Sequence, residues 1–326
     1  MLEGFDDCMN DFEQELTAQP HDAFARDMLS NPANASAFFQ SHLPKDIVAA
    51  ADWSTLTLQP ASFVRQNLQQ SHTDLLYRVN VAERDMLLYL LFEHQTSVDP
   101  LMPLRLLNYV VEVLRQHAET DGLPLPPVLP FVLHQGPDRW TVSTQFRDLF
   151  DLPKDLEGLL CPYLPDFHHA LLDLTLFDPD KDEHHPLLQV ILQLMKAARQ
   201  KQLIEFFEWL GRSEMEVTLL MQPDLFRRCL LYAVHIDINL DVESISRSLS
   251  ASPTLQHEAM SLAQKLRQEG RADGLAHGEW AGKIQMLEKF LGVDATASDV
   301  LASLEIAALE ARYVELEQQY NLRFKK

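Results

Sequence analysis

The chain of 326 residues carries 27 Lys and Arg against 48 Asp and Glu, which gives a formal net charge of −21, and 46% of its residues are apolar. This apolar content supports a real core, so a disordered chain is excluded. The charge argues against nucleic acid as a partner, because affinity for a polyanion comes largely from cations that displace its counterions. Three scattered cysteines exclude a disulfide framework and a thiolate zinc site.

The amino-terminal segment, residues 1–19, is an acidic extension. Phe5, Met9, Phe12 and Leu16 recur there at helical spacing, which predicts a short amphipathic helix. The segment lacks a basic stretch followed by an apolar one, and no window of the chain approaches 18 uninterrupted apolar residues. We therefore expect no signal peptide, no membrane span and a cytoplasmic location.

Residues 20–180 carry the signals of a mixed α/β domain. The segments "PHDAFARDMLS" and "NASAFFQSHLP" predict helices, and "STLTLQPASFV", broken by Pro60, predicts an edge or bulged strand. A hairpin of Leu75–Val81 and Met86–Phe92 around the turn "AERD" follows, then a long helix in "PLMPLRLLNYVVEVLRQHAET", a buried strand in "LPPVLPFVLHQG" and a further edge strand in "HALLDLTLF". This order predicts a mixed sheet with helices on its faces.

Residues 186–326 predict an all-α region, because helical periodicity continues and no strand signal returns. Within it, Gly270, Gly274, Gly278 and Gly282 recur every fourth residue. Glycines at this spacing form a smooth stripe along a helix, which allows another helix to approach closely. A flexible hinge is the alternative, but we expect the stripe to mediate self-association through the carboxy-terminal helices.

Acidic and amide side chains stand at the ends of the apolar hairpin strands. Because side chains alternate along a strand, Glu93 and Gln95 project to one side and His94 to the other. Pairing outward from the turn brings Asp74 opposite the region of Glu93. Charged groups seldom sit in so apolar a run unless they are paired, bind a metal or take part in chemistry.

Two neighbouring carboxylates repel unless a divalent cation lies between them. Magnesium, with manganese as a substitute, takes oxygen ligands, here the carboxylates of Asp74 and Glu93 and the backbone carbonyl of His94. The chemistry that follows is phosphodiester hydrolysis, in which Gln95 orients a water without deprotonating it. The alternative is that all these side chains are simply solvated at the ends of the strands.

Several segments together resemble one family. "PHDAFARDMLS", "TDLLYRV", "LLYLLFEHQTS", "PLMPLRLLNYVVEVLRQH", "LPFVLHQG" and "EGRADGLAHGEWAGKIQMLEKFLG" are similar to the Rpn family, recombination-promoting nucleases also described as putative transposases, YhgA-like. The resemblance implies a PD-(D/E)XK restriction-endonuclease-like core of helix, three strands, helix and strand. It implies Asp74 and Glu93 as metal-binding acids and Gln95 at the position usually written as lysine.

The chain departs from the family pattern in two places. Gln95 replaces a lysine that would stabilise the attacking water, and His134-Gln135-Gly136 stands where the motif usually resembles Tyr-His-Gly. Asp22 on the first helix is either an outer-shell acid of the site or a helix cap. Arg78 and Arg105 either contact phosphates or form structural ion pairs.

Two functions remain open. The first is a Mg²⁺-dependent DNA endonuclease associated with recombination or mobile elements, with DNA as its partner and with self-association. The second is a catalytically degenerate nuclease fold that binds protein. Net charge favours the second, and the intact acid pair favours the first, which we prefer because surface charge is set by many residues whereas a metal pair must be kept residue by residue.

Overall fold

The computed structural model describes residues 12, 15–60, 75–81, 87–178, 185–216, 219, 222–237 and 239–324. Within these ranges the chain forms two compact units, Met1–His257 and Glu258–Lys326. None of the described helices combines the length and apolar character needed to cross a membrane.

A five-stranded mixed sheet forms the centre of the first unit. Its strands are β1 (Ala51–Leu58), β2 (Leu75–Val81), β3 (Leu87–Gln95), β4 (Val128–His134) and β5 (Ala170–Asp173). The strands lie in sequence order, with β1, β2 and β3 antiparallel and with β3, β4 and β5 parallel. The irregular pairing of β1 between Asp52 and Thr57 confirms the predicted bulged edge strand.

Nine helices of the first unit are described. They are α1 (Pro20–Ser30), α2 (Pro32–His42), α3 (Lys45–Ala50), α4 (Met102–Thr120), α5 (Lys154–Leu160), α6 (Pro186–Gln200), α7 (Leu203–Arg212), α8 (Pro223–Ile236) and α9 (Val242–Ser248). The predicted α/β order of helices, bulged strand, hairpin strands, long helix and strand is confirmed, and β5 adds the predicted edge strand. The compact unit continues through the helices after residue 186, past the predicted domain limit at residue 180.

The sheet is covered on both faces, which explains why β3 is apolar along nearly its whole length. On one face, Leu106, Tyr109 and Val113 of α4 pack with Leu91 and Val132 of the sheet. On the other face, aromatic rings of α2 meet those of the sheet at edge-to-face angles. The ring pairs are Phe38 with Phe92, Phe38 with Phe131, and Phe39 with Tyr77.

The second unit contains most of α10 (Pro253–Leu291), together with α11 (Ser298–Ala302) and α12 (Ile306–Phe324). Its apolar core joins side chains of these three helices: Ile284, Leu287, Leu291, Leu301, Leu309 and Leu316. The predicted all-α carboxy-terminal region is thus confirmed. A methyl group added at Gly274, Gly278 or Gly282 would meet no atom within 4 Å, so these three positions of the glycine stripe are uncovered, whereas the surroundings of Gly270 lie outside the described residues.

One buried carboxylate ties the helices of the second unit together. Glu288 of α10 is 1% exposed and accepts hydrogen bonds from the Arg312 guanidinium at 2.8 Å and from the amide and hydroxyl of Thr296, each at 2.7 Å. Burial by itself would raise the pKa of Glu288, but the hydrogen bonds from Arg312 and Thr296 outweigh it and hold the pKa below its ordinary value.

We expect Glu288→Gln to destabilise the second unit by about 2 kcal/mol, because hydrogen bonds to a charged group are worth about 1.5–3 kcal/mol. Since the folded pKa is lowered, the contribution of Glu288 is complete above its unfolded pKa of about 4.3 and is lost as the pH falls through the folded value. Hydrogen exchange of the amides at 284–316 in the full-length chain measures the change.

The matched control for this prediction is Glu279→Gln, because Glu279 is exposed and pairs only with Lys283 one turn away. We expect it to leave the exchange rates at 284–316 nearly unchanged. Equal protection in the two variants would show that Glu288 does not hold the unit together.

Candidate active site

Three consecutive polar residues end the central strand. Glu93, His94 and Gln95 are 0%, 2% and 9% exposed, although they follow the apolar run of β3. β3 pairs with β2 on one edge and β4 on the other, so these side chains have only the two faces of the sheet to enter. Glu93 and Gln95 share one face, as predicted, since the Gln95 amide donates to Glu93 Oε1 at 2.7 Å.

Glu93 is held by a cation from the helix that packs on its face. The Arg105 guanidinium of α4 donates to Glu93 Oε1 and also to Asp99 Oδ2, the latter at 3.1 Å. Arg105 thus forms the predicted structural ion pair, and its contact with phosphate stays a prediction. The second carboxylate oxygen, Glu93 Oε2, is buried and accepts no hydrogen bond from the described residues. A buried carboxylate oxygen that accepts no hydrogen bond lowers the stability of a fold, so the environment of Glu93 lacks a partner for this oxygen among the described residues.

Gln95 donates both of its amide protons to groups within the site. Besides Glu93, its Nε2 donates to the backbone carbonyl of His94 at 2.8 Å. Because an amide has two N–H groups and one carbonyl oxygen, only Gln95 Oε1 remains available. Gln95 therefore presents an acceptor and no donor to any molecule that approaches Glu93.

His134 adds a second acceptor beside Gln95. It pairs with Gln95 across the parallel strands, which places the two side chains on one face of the sheet. His134 Nε2 donates to the carbonyl of Asp138 at 2.8 Å, so Nδ1 carries the lone pair, and Nδ1 is buried without a partner among the described residues. Gly136 is required here, since a Cβ would lie 2.3 Å from the His134 ring.

His94 enters the opposite face and pairs with a carboxylate there. Its Nδ1 lies 2.7 Å from Asp22 Oδ1 of α1, and its Nε2 lies 2.8 Å from Gln135 Oε1. The Gln135 amide donates to the carbonyl of Met195 at 2.7 Å, so its oxygen must face His94. Both ring nitrogens of His94 therefore face oxygen atoms, one of the Asp22 carboxylate and one of the Gln135 amide.

This pairing explains the electrostatics of Asp22. Burial by itself would raise the pKa of the Asp22 carboxyl, but the hydrogen bond from His94, with the nearby charges, outweighs it and leaves the pKa below its ordinary value. Asp22 lies in the first turn of α1, and its carboxylate contacts His94. It supports the strand next to Glu93 through His94.

Gln135 joins His94 to the helices that follow the sheet. Its Nε2 lies 2.9 Å from the Tyr232 hydroxyl of α8, which in turn lies 2.6 Å from His21 Nδ1. Burial and the Arg199 charge lower the pKa of His21 to about 3, so the ring is neutral. Its Nδ1 accepts a hydrogen bond from the Tyr232 hydroxyl. The Gln135 carbonyl accepts from Arg199 Nε at 2.8 Å.

Asp74 lies outside the described residues, as does the turn Ala82–Asp85. The last described pair on this side of the hairpin is Leu75 with Phe92, and Asp74 and Glu93 are their neighbours in the sequence. The proposed pairing of the two acids stays a prediction. Arg78 lies on β2 opposite Tyr89, and its phosphate contact also stays a prediction.

The donor atoms present suit a hard cation such as Mg²⁺. Glu93 Oε2 is a buried carboxylate oxygen without a partner, and the His94 carbonyl is an oxygen donor held by Gln95. Asp74 would supply the remaining carboxylate. Among the residues that the structure describes, no three His, Cys, Asp or Glu side chains gather into a metal site, so the set depends on Asp74.

Comparison with known proteins places these residues in a family. The model of the family described as "Putative transposase, YhgA-like" matches residues 19–220. The chain is 32% identical over 198 residues to recombination-promoting nuclease RpnD of Escherichia coli O157:H7, which covers 60% of the chain and 74% of that protein. It is 26% identical over 267 residues to RpnA of E. coli K12, covering 81% and 89% of the two chains.

The relatives also include proteins that are named as inactive. The inactive recombination-promoting nuclease-like protein RpnE of E. coli K12 is 26% identical over 302 residues, which cover 90% of this chain and 96% of that protein. No solved structure matches the chain. The relatives therefore include both named nucleases and a named inactive protein.

We expect Asp22→Ala to lower the free energy of unfolding by about 2 kcal/mol, because it leaves Nδ1 of the buried His94 ring without its hydrogen-bond partner. Equilibrium denaturation of the full-length chain measures the change. Asp46→Ala is the matched control, since Asp46 is exposed in the first turn of α3. Equal stability of the two variants would contradict a hydrogen bond between His94 and Asp22.

Proposed function

Because the chain belongs to the YhgA-like family of putative transposases, we propose that it is a metal-dependent DNA endonuclease that hydrolyses phosphodiester bonds in recombination. The observation that carries the proposal is the buried Oε2 of Glu93 at the end of the central strand, which has no partner among the described residues. Relatives named recombination-promoting nucleases support the same reading. We assign the fold to the PD-(D/E)XK type, with Asp74 and Glu93 as its acids.

Each residue at the site has a role that its contacts support. Asp74, Glu93 and the His94 carbonyl would hold Mg²⁺ or Mn²⁺, which when bound supplies Lewis-acid activation of the phosphodiester. Arg105 and Gln95 fix the Glu93 carboxylate in one orientation. Gln95 Oε1 accepts a hydrogen bond from the attacking water and orients it, but an amide oxygen cannot take its proton.

The alternative function is a nuclease fold without catalysis that binds protein. The similarity to the inactive protein RpnE over most of both chains favours it. Gln95 in place of the usual lysine points the same way, because an amide carries no charge to stabilise the developing charge on phosphorus. The two functions differ in whether DNA is cut, so one assay separates them.

We expect purified protein to nick plasmid DNA with Mg²⁺ or Mn²⁺ and not with EDTA. Asp74→Asn and Glu93→Gln should each lower the rate by at least about 100-fold, because each removes a charged oxygen ligand of the metal. Gln95→Ala should slow cutting less, since positioning water contributes less than binding the metal.

Asp99→Asn is the matched control for these variants, because Asp99 is the second acid paired with Arg105 and has no assigned contact to metal. It should keep most of the activity. A parent protein that does not cut under any of these conditions would establish the non-catalytic alternative. If Glu93→Gln cuts as well as the parent, the assigned site is wrong.

Self-association through the glycine stripe is a second part of the proposal. Gly274, Gly278 and Gly282 leave one side of α10 uncovered, and each costs a helix about 1 kcal/mol relative to alanine. Close packing against another copy would offset that cost. Association would also place two nuclease domains on one DNA molecule, as a double-strand break requires.

We expect the double variant Gly274→Leu and Gly278→Leu to dissociate the assembly, because leucine keeps helix propensity but fills the groove. Sedimentation velocity of parent and variant measures it. The matched control is Gly158→Leu, since Gly158 lies in α5 of the first unit and also has open space around its Cβ position. A monomeric parent, or a variant that assembles as well as the parent, would contradict the contact.

A further inference from the structure

A cleft of about 570 Å³ opens on the first unit, away from Glu93. It lies where α1 and α7 begin and where α6 and α8 end. Its lining residues are Pro20, His21, Ala198, Arg199, Lys201, Leu203, His235, Ile236, Asp237 and Asn239. The proposed nuclease chemistry uses none of them.

Two cations line this cleft without an acidic partner in the part of the chain that the structure describes. Neither Arg199 nor Lys201 forms a salt bridge with the described residues, although acids outnumber bases 48 to 27 in the chain. Arg199 is nevertheless oriented, because its Nε donates to the Gln135 carbonyl at 2.8 Å and leaves the rest of the guanidinium to the cleft. An ordered guanidinium is a ready donor for phosphate.

Two helix amino termini meet the cleft, and so do the carboxy termini of α6 and α8, whose partial charge is negative. α1 begins at Pro20 and α7 at Leu203, and neither helix has a side-chain cap on its first amides. The uncapped amino end of a helix carries a partial positive charge and free N–H groups that suit an anion. Three acids oppose these positive groups: Asp237, whose Oδ1 accepts from the Asn239 amide at 2.9 Å, and the first-turn residues Asp22 of α1 and Glu205 of α7.

We propose that this cleft binds a phosphate monoester on a nucleotide-sized molecule. A monoester carries up to two negative charges, which match Arg199 and Lys201, whereas a phosphodiester carries one. Leu203 and Ile236 supply apolar wall for a ring attached to the phosphate. A free nucleotide and the 5′-phosphate of a DNA end share this chemistry.

The inference does not rest on the proposed nuclease function. It uses the charge and shape of the cleft, and its test requires no cutting of DNA. A protein that binds phosphate monoesters but cuts no DNA would keep this inference and remove the nuclease function. A protein that cuts DNA but binds no phosphate monoester would remove this inference and keep the nuclease function.

The test is titration calorimetry of the full-length chain in EDTA with four probes. They are inorganic phosphate, adenosine 5′-monophosphate, and one short single-stranded oligonucleotide with and without a 5′-phosphate. We expect the monophosphate to bind and the phosphorylated oligonucleotide to bind at least about fivefold more tightly than its unphosphorylated form. Competition with the monophosphate then shows whether the DNA end uses the same cleft.

Lys201→Asn is the decisive variant. Lys201 has a left-handed backbone with φ of 58°, which asparagine tolerates well, so the charge is removed without strain. We expect about fivefold weaker binding of the monophosphate, restoration by Lys201→Arg, and an unchanged melting temperature. Lys45→Asn is the control, because Lys45 is exposed in α3 and lines no part of the cleft.

Three results would overturn the proposal. The first is no heat from any phosphate probe at millimolar concentration, and the second is equal binding of the two oligonucleotides without competition by the monophosphate. The third is equal affinity of the Lys201→Asn and Lys45→Asn variants. Arg199→Gln serves as a further variant, read together with its melting temperature, since Arg199 also holds the Gln135 carbonyl.

Discussion

Burial of three consecutive polar side chains at the end of β3 is the constraint on which the surrounding structure depends. Because side chains alternate along a strand, Glu93 and Gln95 must find partners on one face and His94 on the other. A helix on each face supplies the partner: Arg105 of α4 contacts Glu93, and Asp22 of α1 contacts His94. The two helices are therefore fixed to the strand by polar contacts as well as by apolar packing.

The polar contacts on the two faces are satisfied to different degrees, and the difference is informative. His94 uses both ring nitrogens, with Asp22 and Gln135 as its partners, so its network is complete on that side. Within the described ranges, Glu93 keeps one buried oxygen without a donor, and His134 keeps Nδ1 without a partner on the same face. A stable fold tolerates such incomplete groups mainly where they serve binding or catalysis. The face of the sheet that carries Glu93 is therefore the better candidate for a binding or catalytic role than the face that carries His94.

Sequence patterns predicted the order of the elements and the faces of the three polar residues. The apolar run of β3 and the helical periodicity of α4 are strong local signals, and alternation then decides the direction of Glu93, His94 and Gln95. The partners could not be predicted in the same way. Gln135 reaches Met195 and Tyr232 across 60 and 97 residues of sequence, and no local pattern encodes such pairing.

The limits of the two compact units depend on long-range contacts, which the periodicity of apolar residues in the sequence does not reveal. The sequence shows where helices replace strands, near residue 186, but not which body those helices join. Tyr232 stacks on Phe24 of α1 with ring centroids 4.2 Å apart and bonds Gln135 at the end of β4. Such contacts keep α6 to α9 with the sheet, so the compact unit reaches His257.

The net charge of −21 describes the whole chain and not the field at one site. Most described acids that contact arginine are neutralised locally, as Glu93 is by Arg105 and Asp27 by Arg228. A cleft with Arg199 and Lys201 can therefore hold a positive potential within an acidic protein, since a concave, poorly solvated surface concentrates the field of its own charges. At physiological salt the Debye length is about 8 Å, so remote acids are largely screened from a ligand in that cleft. Composition thus limits non-specific affinity for a polyanion, whereas recognition of a single phosphate depends on the few groups that surround it.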